Sequence, residues 1–598
     1  MTKIKKRSEQ RREDTWDLEA IYQKNSDWEE DAACLEQQLE EFGSLKGRLG
    51  ESSASMLQIM ETYCRINELT WKLYAYASMR LDEDTTDSYY QQMESKARTL
   101  AIRLGTECAW VEPEILEMDR EKLESFLAEN YKLRLYRIYL EEIQRRKEHT
   151  LSDETERLLA QASRLGQAPY QVYSMFQNAD LTFEPVKGAD GEMMPLTQET
   201  FVALEQNSDR EIRSAAFAQF YREYVRFGNT LAALFEANVQ QELFFARQRN
   251  YGSSLEMELD DAQIPVSVYH QLIGTVHDNL PSMHRYVTLR KKLLGVEELH
   301  MYDVYVPMTG AVQKTYTFEE AKQMVLEGLR PQGEEYLSIL KKGMDSRWID
   351  VYENEGKRSG AYSGGSYLTA PYVLMNYQGT LNHVFTLAHE LGHSVHSYYT
   401  RHTQPYIYGD YKIFVAEVAS TCNEALLIRS LLQKTSDRQE RAYLVNYFLE
   451  QFKGTLFRQT MFAEFELITH ERAARGESLN AEALCGIYLD LNRKYFGDEM
   501  VSDPEIAWEW ARIPHFYRPF YVYQYATGFS AAIAIAEKIW KGEPQAVENY
   551  RKFLCGGSSM SPIELLKLCG VDMTSPAPVQ NALDLFAEYL GEMEKSTE

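Results

Sequence analysis

The sequence lacks the long apolar runs that cross membranes and the basic excess that binds nucleic acid. Its nearest apolar run, 531–536, falls well short of the roughly 18–20 residues of a membrane helix. The first residues carry no apolar segment of the secretory type. Only 64 Lys and Arg stand against 90 Asp and Glu, a net charge of −26, which repels nucleic acid and anionic membranes. We therefore expect a cytoplasmic protein that binds neither.

Cysteine is scarce and dispersed. The seven cysteines of the 598 residues form no CxxC pair, so the spacing excludes a disulfide framework and a thiolate zinc finger and favours free thiols. No fixed-period repeat is present. A hydrophobic content of 44% and a charged content of 26% are those of a globular protein with a large core.

The hydrophobic pattern is mainly helical. Apolar residues recur at spacings of three and four, with little Gly or Pro, in the segments 27–42, 55–80, 88–108 and 133–146. Ser208 and Glu211 resemble a capping box that opens one long helix ending near Arg249. Short extended segments are predicted at 181–196, 304–307 and 348–367. The pattern predicts a mostly α fold with a small β-sheet, divided into an N-terminal helical lobe (1–195) and a catalytic domain (196–598).

The most informative motif is His389-Glu390-Leu391-Gly392-His393. It lies in a segment, 383–399, whose apolar residues follow helical spacing. Two histidines four residues apart share one face of a helix and can bind one Zn²⁺, while the intervening Glu390 can act as a base on water. The pattern therefore predicts a zinc metallopeptidase helix. The alternative is a surface helix with two unrelated histidines.

A zinc peptidase site needs a third protein ligand. His396 is the nearest candidate, but it follows His389 by a rise of about 10 Å on a straight helix, so we assign it to substrate or outer contacts, or to the surface. Glu417 is the better candidate, on a second helical segment where Glu417 and Glu424 share a face. The alternative for this segment is a half-exposed helix with scattered acids. Cys422 lies between the two acids and is not favoured as a ligand.

Several strings together resemble the oligoendopeptidase F group of the thimet-oligopeptidase-like zinc metallopeptidases. They are DTWDLEAIY, DREIRSAAFAQFY, RSGAYSGGSY, PYVLMNYQGTLNHVFTLAHE, HELGHSVHSYYT, FVAEVASTCNEALL, FRQTMFAEFE and HFYRPFYVYQYATGFSAA. The resemblance runs over nearly the whole chain. It implies one zinc ion held by His389, His393 and Glu417, with Glu390 as catalytic base. Thr421 stands where thermolysin-like sites have an acid that orients a histidine, so we assign that role to Glu424.

The resemblance also gives roles to the aromatic segment 515–529. In the family a His and Tyr residues of a mobile loop hydrogen-bond the substrate carbonyl and the oxyanion, which implies catalytic roles for His515, Tyr521 and Tyr525. Tyr517, which we assign to substrate binding, and Tyr523 are close rivals. Without the family, a run of phenols between prolines is equally typical of core packing.

The string RSGAYSGGSY combines glycines with an extended pattern. Glycine permits close backbone approach, so Gly360, Ala361 and Tyr362 are candidates for an edge strand that pairs with an extended peptide. The alternative is an ordinary Gly/Ser loop.

The resulting hypothesis is a zinc-dependent endopeptidase that cuts internal bonds of short oligopeptides. The family fold implies two helical lobes around a deep substrate channel, with the small sheet beside the zinc helix. Two alternatives remain. A metallo-carboxypeptidase would need donors for a terminal carboxylate, such as Arg401, Arg512 or Arg518. An inactive helical scaffold that binds peptides would have no need of Glu390.

Overall fold

The computed structural model describes residues 4–188, 191–310 and 314–596. The prediction of a mostly α protein with small sheets is confirmed. The α-helices are, in chain order, α1 (Asn25–Gly43), α2 (Ser53–Glu83), α3 (Ser88–Cys108), α4 (Val111–Glu117), α5 (Arg120–Glu129), α6 (Arg137–Arg145), α7 (Asp153–Gly166), α8 (Ala168–Met175), α9 (Gln198–Glu205), α10 (Arg210–Arg226), α11 (Gly228–Gln248), α12 (Ser254–Asp260), α13 (Val266–Asp278), α14 (Leu280–Leu294), α15 (Phe318–Gly328), α16 (Glu334–Asp345), α17 (Leu381–Thr403), α18 (Ile413–Lys434), α19 (Arg438–Gln451), α20 (Arg458–Ala474), α21 (Ala481–Phe496), α22 (Tyr523–Trp540), α23 (Ala546–Leu554), α24 (Pro562–Leu568) and α25 (Ala577–Ser596).

The strands are two or three residues long. They are β1 (Val186–Lys187), β2 (Met193–Met194), β3 (Leu299–His300), β4 (Ile349–Asp350), β5 (Tyr362–Gly364), β6 (Tyr372–Leu374) and β7 (Met500–Val501). The extended segments predicted at 181–196 and 348–367 contain β1, β2, β4 and β5. The strand predicted at 304–307 is wrong, because the strand of that region, β3, ends before it.

Contacts within the chain divide it into two compact units, each built from separate stretches. Unit 1 comprises Met1–Glu148, Lys314–Ser430 and Ile535–Gly570, and unit 2 comprises His149–Gln313, Leu431–Ala534 and Val571–Glu598. No boundary between these units falls at 195/196, so the predicted division into a lobe and a catalytic domain stays a prediction. Among the described residues, none of the helices combines the length and apolarity that a membrane crossing requires.

The core of unit 1 links its N-terminal helices to its sheet. Helices α1, α2 and α3 pack on one another and bury side chains such as Trp28 and Phe42 completely. Tyr372 and Leu374 of β6 belong to the same hydrophobic cluster. Burial of this apolar surface, worth roughly 25 cal/mol per Å², therefore fixes the sheet against the N-terminal helices.

The sheet of unit 1 has the strand order β4-β6-β5. Strand β4 runs parallel to β6, and β5 runs antiparallel to it with Tyr362 opposite Leu374. Helix α17 packs against β5 and β6, where the hydroxyls of Ser363 and Ser394 are 2.9 Å apart. Strand β5 thus forms one edge of the sheet and lies along the helix of the HELGH motif.

Unit 2 corrects the predicted long helix from 208 to 249. The N-cap is Asp209 rather than Ser208, since the Asp209 side chain accepts a hydrogen bond from the Glu211 backbone N–H at 2.9 Å. The helix is interrupted at Phe227, whose φ of −104° and ψ of 11° are not helical. The chain makes a close approach beside this break, because a Cβ added to Gly228 would lie 2.1 Å from the Trp508 ring.

Candidate active site

Helix α17 carries the two motif histidines. Thr380 caps it, with a side chain that accepts from the His383 backbone N–H, as expected for an N-cap threonine. Buried Val384, Leu387 and Leu391 fix its apolar face in the core. His389 and His393, one turn apart, are both half-buried, so the helix presents two imidazoles together.

Helix α18 adds a third ligand-type group. His389, His393 and Glu417 form the cluster of potential metal-binding side chains found among the described residues, with donor atoms within 4.8 Å of one another. Oε2 of Glu417 is 3.4 Å from Nε2 of His389 and 3.4 Å from Nε2 of His393. The two Nε2 atoms are 3.2 Å apart. The three donors therefore converge on one point.

Two further side chains orient this cluster. Nδ1 of His389 lies 2.6 Å from Oε1 of Glu424, so the carboxylate can accept the Nδ1 proton and leave Nε2 with its lone pair. The Ser420 hydroxyl donates to Oε2 of Glu417 at 3.1 Å. Helical spacing places Ser420 and Glu424 on the same face as Glu417, but the partner of each side chain is seen only in the structure.

Burial and charge shift the ionisation of these groups. Burial lowers the pKa of His389, but hydrogen bonds to Glu417 and Glu424 outweigh it and raise this pKa to about 10 in the metal-free chain. Burial alone would raise the pKa of Glu417, but hydrogen bonds from both histidines outweigh this effect and hold the pKa well below the usual range. Burial raises the pKa of Glu390, although the two histidines oppose the shift. Glu390 itself is only 7% exposed, so its carboxyl group lies next to the cluster with little access to solvent.

Gly392 lets α17 and α18 approach closely enough to bring His389, His393 and Glu417 together. A Cβ at this position would lie 2.6 Å from Cα of Ser420 and 2.8 Å from the carbonyl oxygen of Ala419. These separations are too short for a Cβ, and because the opposing atoms belong to the backbone of α18, they could move away only if the helix itself shifted. The structure thus supplies the reason for a glycine inside the motif helix.

We expect Gly392→Ala to separate α17 from α18 and to weaken metal binding. Overpacking of this kind costs about 1–3 kcal/mol of unfolding free energy, and the shift would move Glu417 away from the histidines. Thermal unfolding and metal titration measure both effects. The matched control is Gly105→Ala in α3, where an added Cβ meets nothing within 4 Å and should be neutral or stabilising by up to about 1 kcal/mol. Wild-type metal affinity in Gly392→Ala would contradict this interpretation.

Asn423 also links α17 and α18, and the sequence did not reveal this contact. The side chain is fully buried, and its Nδ2 donates to the carbonyl oxygen of Ala388 at 3.0 Å. Its Oδ1 accepts from the Tyr336 hydroxyl at 2.8 Å and from Gln332 at 3.0 Å. Ala388 directly precedes His389, so these hydrogen bonds hold the backbone beside the first histidine of the cluster.

The residues predicted to bind substrate lie in different settings. Gly360 and Ala361 lead into β5 and Tyr362 begins it; the Tyr362 hydroxyl donates to Asp82 at 2.7 Å. His396 does not join the metal-type cluster. It is 1% exposed, and its ring stacks on Tyr411 with centroids 3.7 Å apart. This is the packing of a core residue, so its assignment to substrate contact stays only a prediction.

The aromatic segment belongs to unit 2 and contains a ring cluster. His515 is exposed and Tyr521 and Tyr525 are half-buried. The His515 centroid is 6.1 Å from that of Tyr521 and 6.0 Å from that of Tyr525. The rivals pack elsewhere: Tyr517 stacks on Tyr173 at 4.2 Å and Tyr523 packs on Tyr269 at 5.0 Å. Among these tyrosines, the structure thus groups Tyr521 and Tyr525 with the histidine.

Comparison with known proteins decides the family. A sequence profile described as peptidase family M3 matches residues 203–585, which is more than half of the chain. The chain belongs to peptidase family M3. A second profile, described as oligopeptidase F, matches residues 114–183 of this M3 peptidase, and this agrees with the resemblance seen in the motifs.

Full-length relatives support the assignment. This M3 peptidase is 46% identical to oligopeptidase PepF of Bacillus subtilis over 98% of the chain and 88% of the relative. It is 42% identical to the oligoendopeptidase F homolog of Lactococcus lactis over 98% of the chain and 97% of the relative. The crystal structure of oligoendopeptidase F from Enterococcus faecium is 38% identical, with a TM-score of 0.76 over 96% of the chain and 99% of that protein. A peptidase structure from Chlamydophila abortus is 35% identical, with a TM-score of 0.92 over 99% and 100%. The M3 peptidase is accordingly a metalloendopeptidase, and its substrates are peptides.

Proposed function

We propose that this M3 peptidase uses one zinc ion, held by His389, His393 and Glu417, to cut internal bonds of short peptides. The observation that carries the proposal is the spacing of the three donor atoms. Two ligand atoms about 2.1 Å from one tetrahedral zinc are separated by about 3.4 Å. The distances between the donors are 3.2, 3.4 and 3.4 Å. The donor set, two imidazoles and a carboxylate, is also that of hydrolytic zinc sites.

The chain's own residues then have defined tasks. When bound, zinc supplies Lewis-acid chemistry that polarises the scissile carbonyl and acidifies water. Glu390 takes the proton from the attacking water and delivers it to the leaving amine. Glu424 keeps the Nδ1 proton of His389, so that Nε2 faces the ligand cluster. We assign His515, Tyr521 and Tyr525 as donors to the substrate carbonyl and the developing oxyanion.

The edge strand β5 supports an extended peptide as substrate. Its backbone pairs with β6 on one side, and the other side can pair with an added strand. Gly360 and Gly365 have φ values of +85° and +118°, which glycine adopts without strain. Only an unpaired stretch of chain can add to such an edge, so the proposal includes a channel that admits short peptides. The cytoplasmic location inferred from the sequence likewise stays a prediction.

Substrate size tests this proposal. A peptide of about ten residues should be cut at an internal bond, whereas the same sequence inside a folded domain should resist, because a folded strand cannot pair with β5. The control places the sequence in a flexible tail of that domain, where cleavage should return. Efficient cleavage within the folded domain, measured by mass spectrometry of the products, would contradict the channel.

The ring cluster of unit 2 should act on turnover rather than on binding. We expect Tyr521→Phe, Tyr525→Phe and His515→Ala to lower kcat by roughly 10²–10³-fold each where the group donates to the oxyanion, with little change in KM. Tyr523→Phe is the matched control, since its ring is buried against Tyr269. A change in KM alone would assign the cluster to substrate packing, and destabilisation without a kinetic change would assign it to the core.

A further inference from the structure

Unit 1 contains a cavity of about 770 Å³ that the chemistry above does not use. Aromatic side chains of α2, including Tyr63, Trp71 and Tyr74, form part of its lining, and Tyr362 of β5 lies on it as well. Arg401, near the end of α17, also lines the cavity. The cavity therefore lies beside the edge strand and on the helix that carries His389 and His393.

The guanidinium of Arg401 forms no direct ion pair among the described residues, and Asp410 and Tyr411 stabilise its charge only from a distance. Its Nη1 atom is buried without a hydrogen bond, and within the part of the chain that the structure describes no carboxylate forms an ion pair with it. Asp410 lines the same cavity but is exposed and is not paired with Arg401. Burial lowers the pKa of the guanidinium. A buried donor of a charged group that makes no hydrogen bond is costly.

The neighbouring arginine shows the contrast. Arg358 lines the cavity too, but its Nη1 is 3.0 Å from Asp82, which also accepts from the Tyr362 hydroxyl. Arg358 therefore has a carboxylate partner within the protein. Ser366, only 5% exposed, instead adds a second buried polar atom without a partner, its Oγ, to the same lining. The cavity thus holds an unpaired cation and an unpaired hydroxyl, which are two donors for one acceptor group.

We propose that Arg401, with Ser366, forms a subsite that binds a carboxylate of the peptide substrate. The group is either an acidic side chain or the peptide's C-terminus. An anion there would provide the charge-assisted hydrogen bonds that Arg401 lacks. The proposal deepens the proposed function and rests on it for the identity of the ligand.

Geometry sets the distance of this subsite from the reacting bond. Arg401 follows His393 by eight residues, a rise of about 12 Å along the helix. An extended peptide covers that distance in three to four residues at about 3.3 Å each. The chain from β5 to Gly365 follows α17 from the histidines towards Arg401. Ser363 contacts Ser394, and a Cβ at Gly365 would lie 3.5 Å from Nη1 of Arg401. A carboxypeptidase needs its terminal carboxylate one residue from the bond, so this spacing favours an endopeptidase.

Direct binding tests the subsite without turnover. A single Glu is moved through each position of a neutral, amidated, fluorescent ten-residue peptide, with Gln at the same position as the isosteric reference. A second set compares free C-terminal carboxylate with amide in peptides of decreasing length. Affinities are measured by anisotropy with the full-length Glu390→Gln variant, which should bind without cutting. The same peptides are measured with three double variants that combine Glu390→Gln with Arg401→Gln, Arg401→Lys or Arg120→Gln. Arg120 is exposed, so Arg120→Gln is the charge-matched control.

We expect one Glu position, or one length ending in a free carboxylate, to bind roughly ten- to a hundredfold tighter than its neutral reference. Arg401→Gln should abolish the preference, Arg401→Lys should keep part of it, and Arg120→Gln should leave it intact. Glu dependence identifies a side-chain carboxylate, and dependence on the free end identifies the C-terminus. No preference in any peptide, or a preference that survives Arg401→Gln, would overturn the subsite. A preference without peptide cleavage by the wild type would reject the proposed function and leave the subsite standing.

Discussion

Replacing Glu390 with Gln is expected to abolish peptide hydrolysis while the metal stays bound. Glu390 is not among the three clustered donors, so its replacement should remove the proposed base and none of the proposed ligands. General-base catalysis contributes roughly 10²–10⁴-fold, and kcat should fall by at least that range. Steady-state kinetics on a ten-residue peptide, with metal content determined on the same sample, measures the effect.

The control for this variant is Glu129→Gln, an exposed acid at the end of α5. It makes the same change of charge and should retain wild-type kinetics. If Glu390→Gln keeps more than a few per cent of wild-type turnover with full metal, another group is the base. Loss of metal in Glu390→Gln would instead show that Glu390 takes part in holding the ion.

Replacing Glu417 with Ala is expected to release the metal as readily as His393→Ala does. Each change would remove one of the three proposed ligands, and a chain left with two should bind zinc far more weakly. The loss of affinity should exceed the 10–100-fold that outer-shell changes cause. Competition titration with a zinc chelator gives the affinities.

Glu424→Gln is the matched comparison for Glu417→Ala. Glu424 contacts His389 at Nδ1, 2.6 Å away, and is not one of the clustered donors, so its replacement should cost no more than about 10–100-fold in affinity. Full zinc in Glu417→Ala would point instead to Glu424 or to buried Cys422 as the third ligand. Equal losses in both variants would show that the orienting contact matters as much as a ligand.

The sequence predicted the parts of the site that depend on local spacing. The interval of four between His389 and His393 follows from helix geometry, and the class of the protein followed from motifs that span the chain. The helical pattern also located α1, α2 and α3 to within three residues. These features depend on neighbours in the sequence, which periodicity records.

Features that depend on distant contacts were missed. The break at Phe227 lies where Gly228 packs against Trp508, which is far away in sequence, so the segment was predicted as one helix. The role of Asn423 depends on the Ala388 carbonyl and Tyr336, and neither contact leaves a local pattern. His396 lies on the motif helix, but its burial against Tyr411 could not be inferred from spacing. The two units combine separate stretches of chain, which no single composition boundary can indicate.

Products formed as zinc is added back to the metal-free enzyme show whether one bound zinc ion drives internal cleavage. A ten-residue peptide is incubated with enzyme at increasing zinc, and the fragments are weighed by mass spectrometry. The account predicts no fragments without metal, and internal fragments whose yield rises until one zinc per chain is bound. Stepwise loss of C-terminal residues, or full cleavage by the metal-free enzyme, would contradict it.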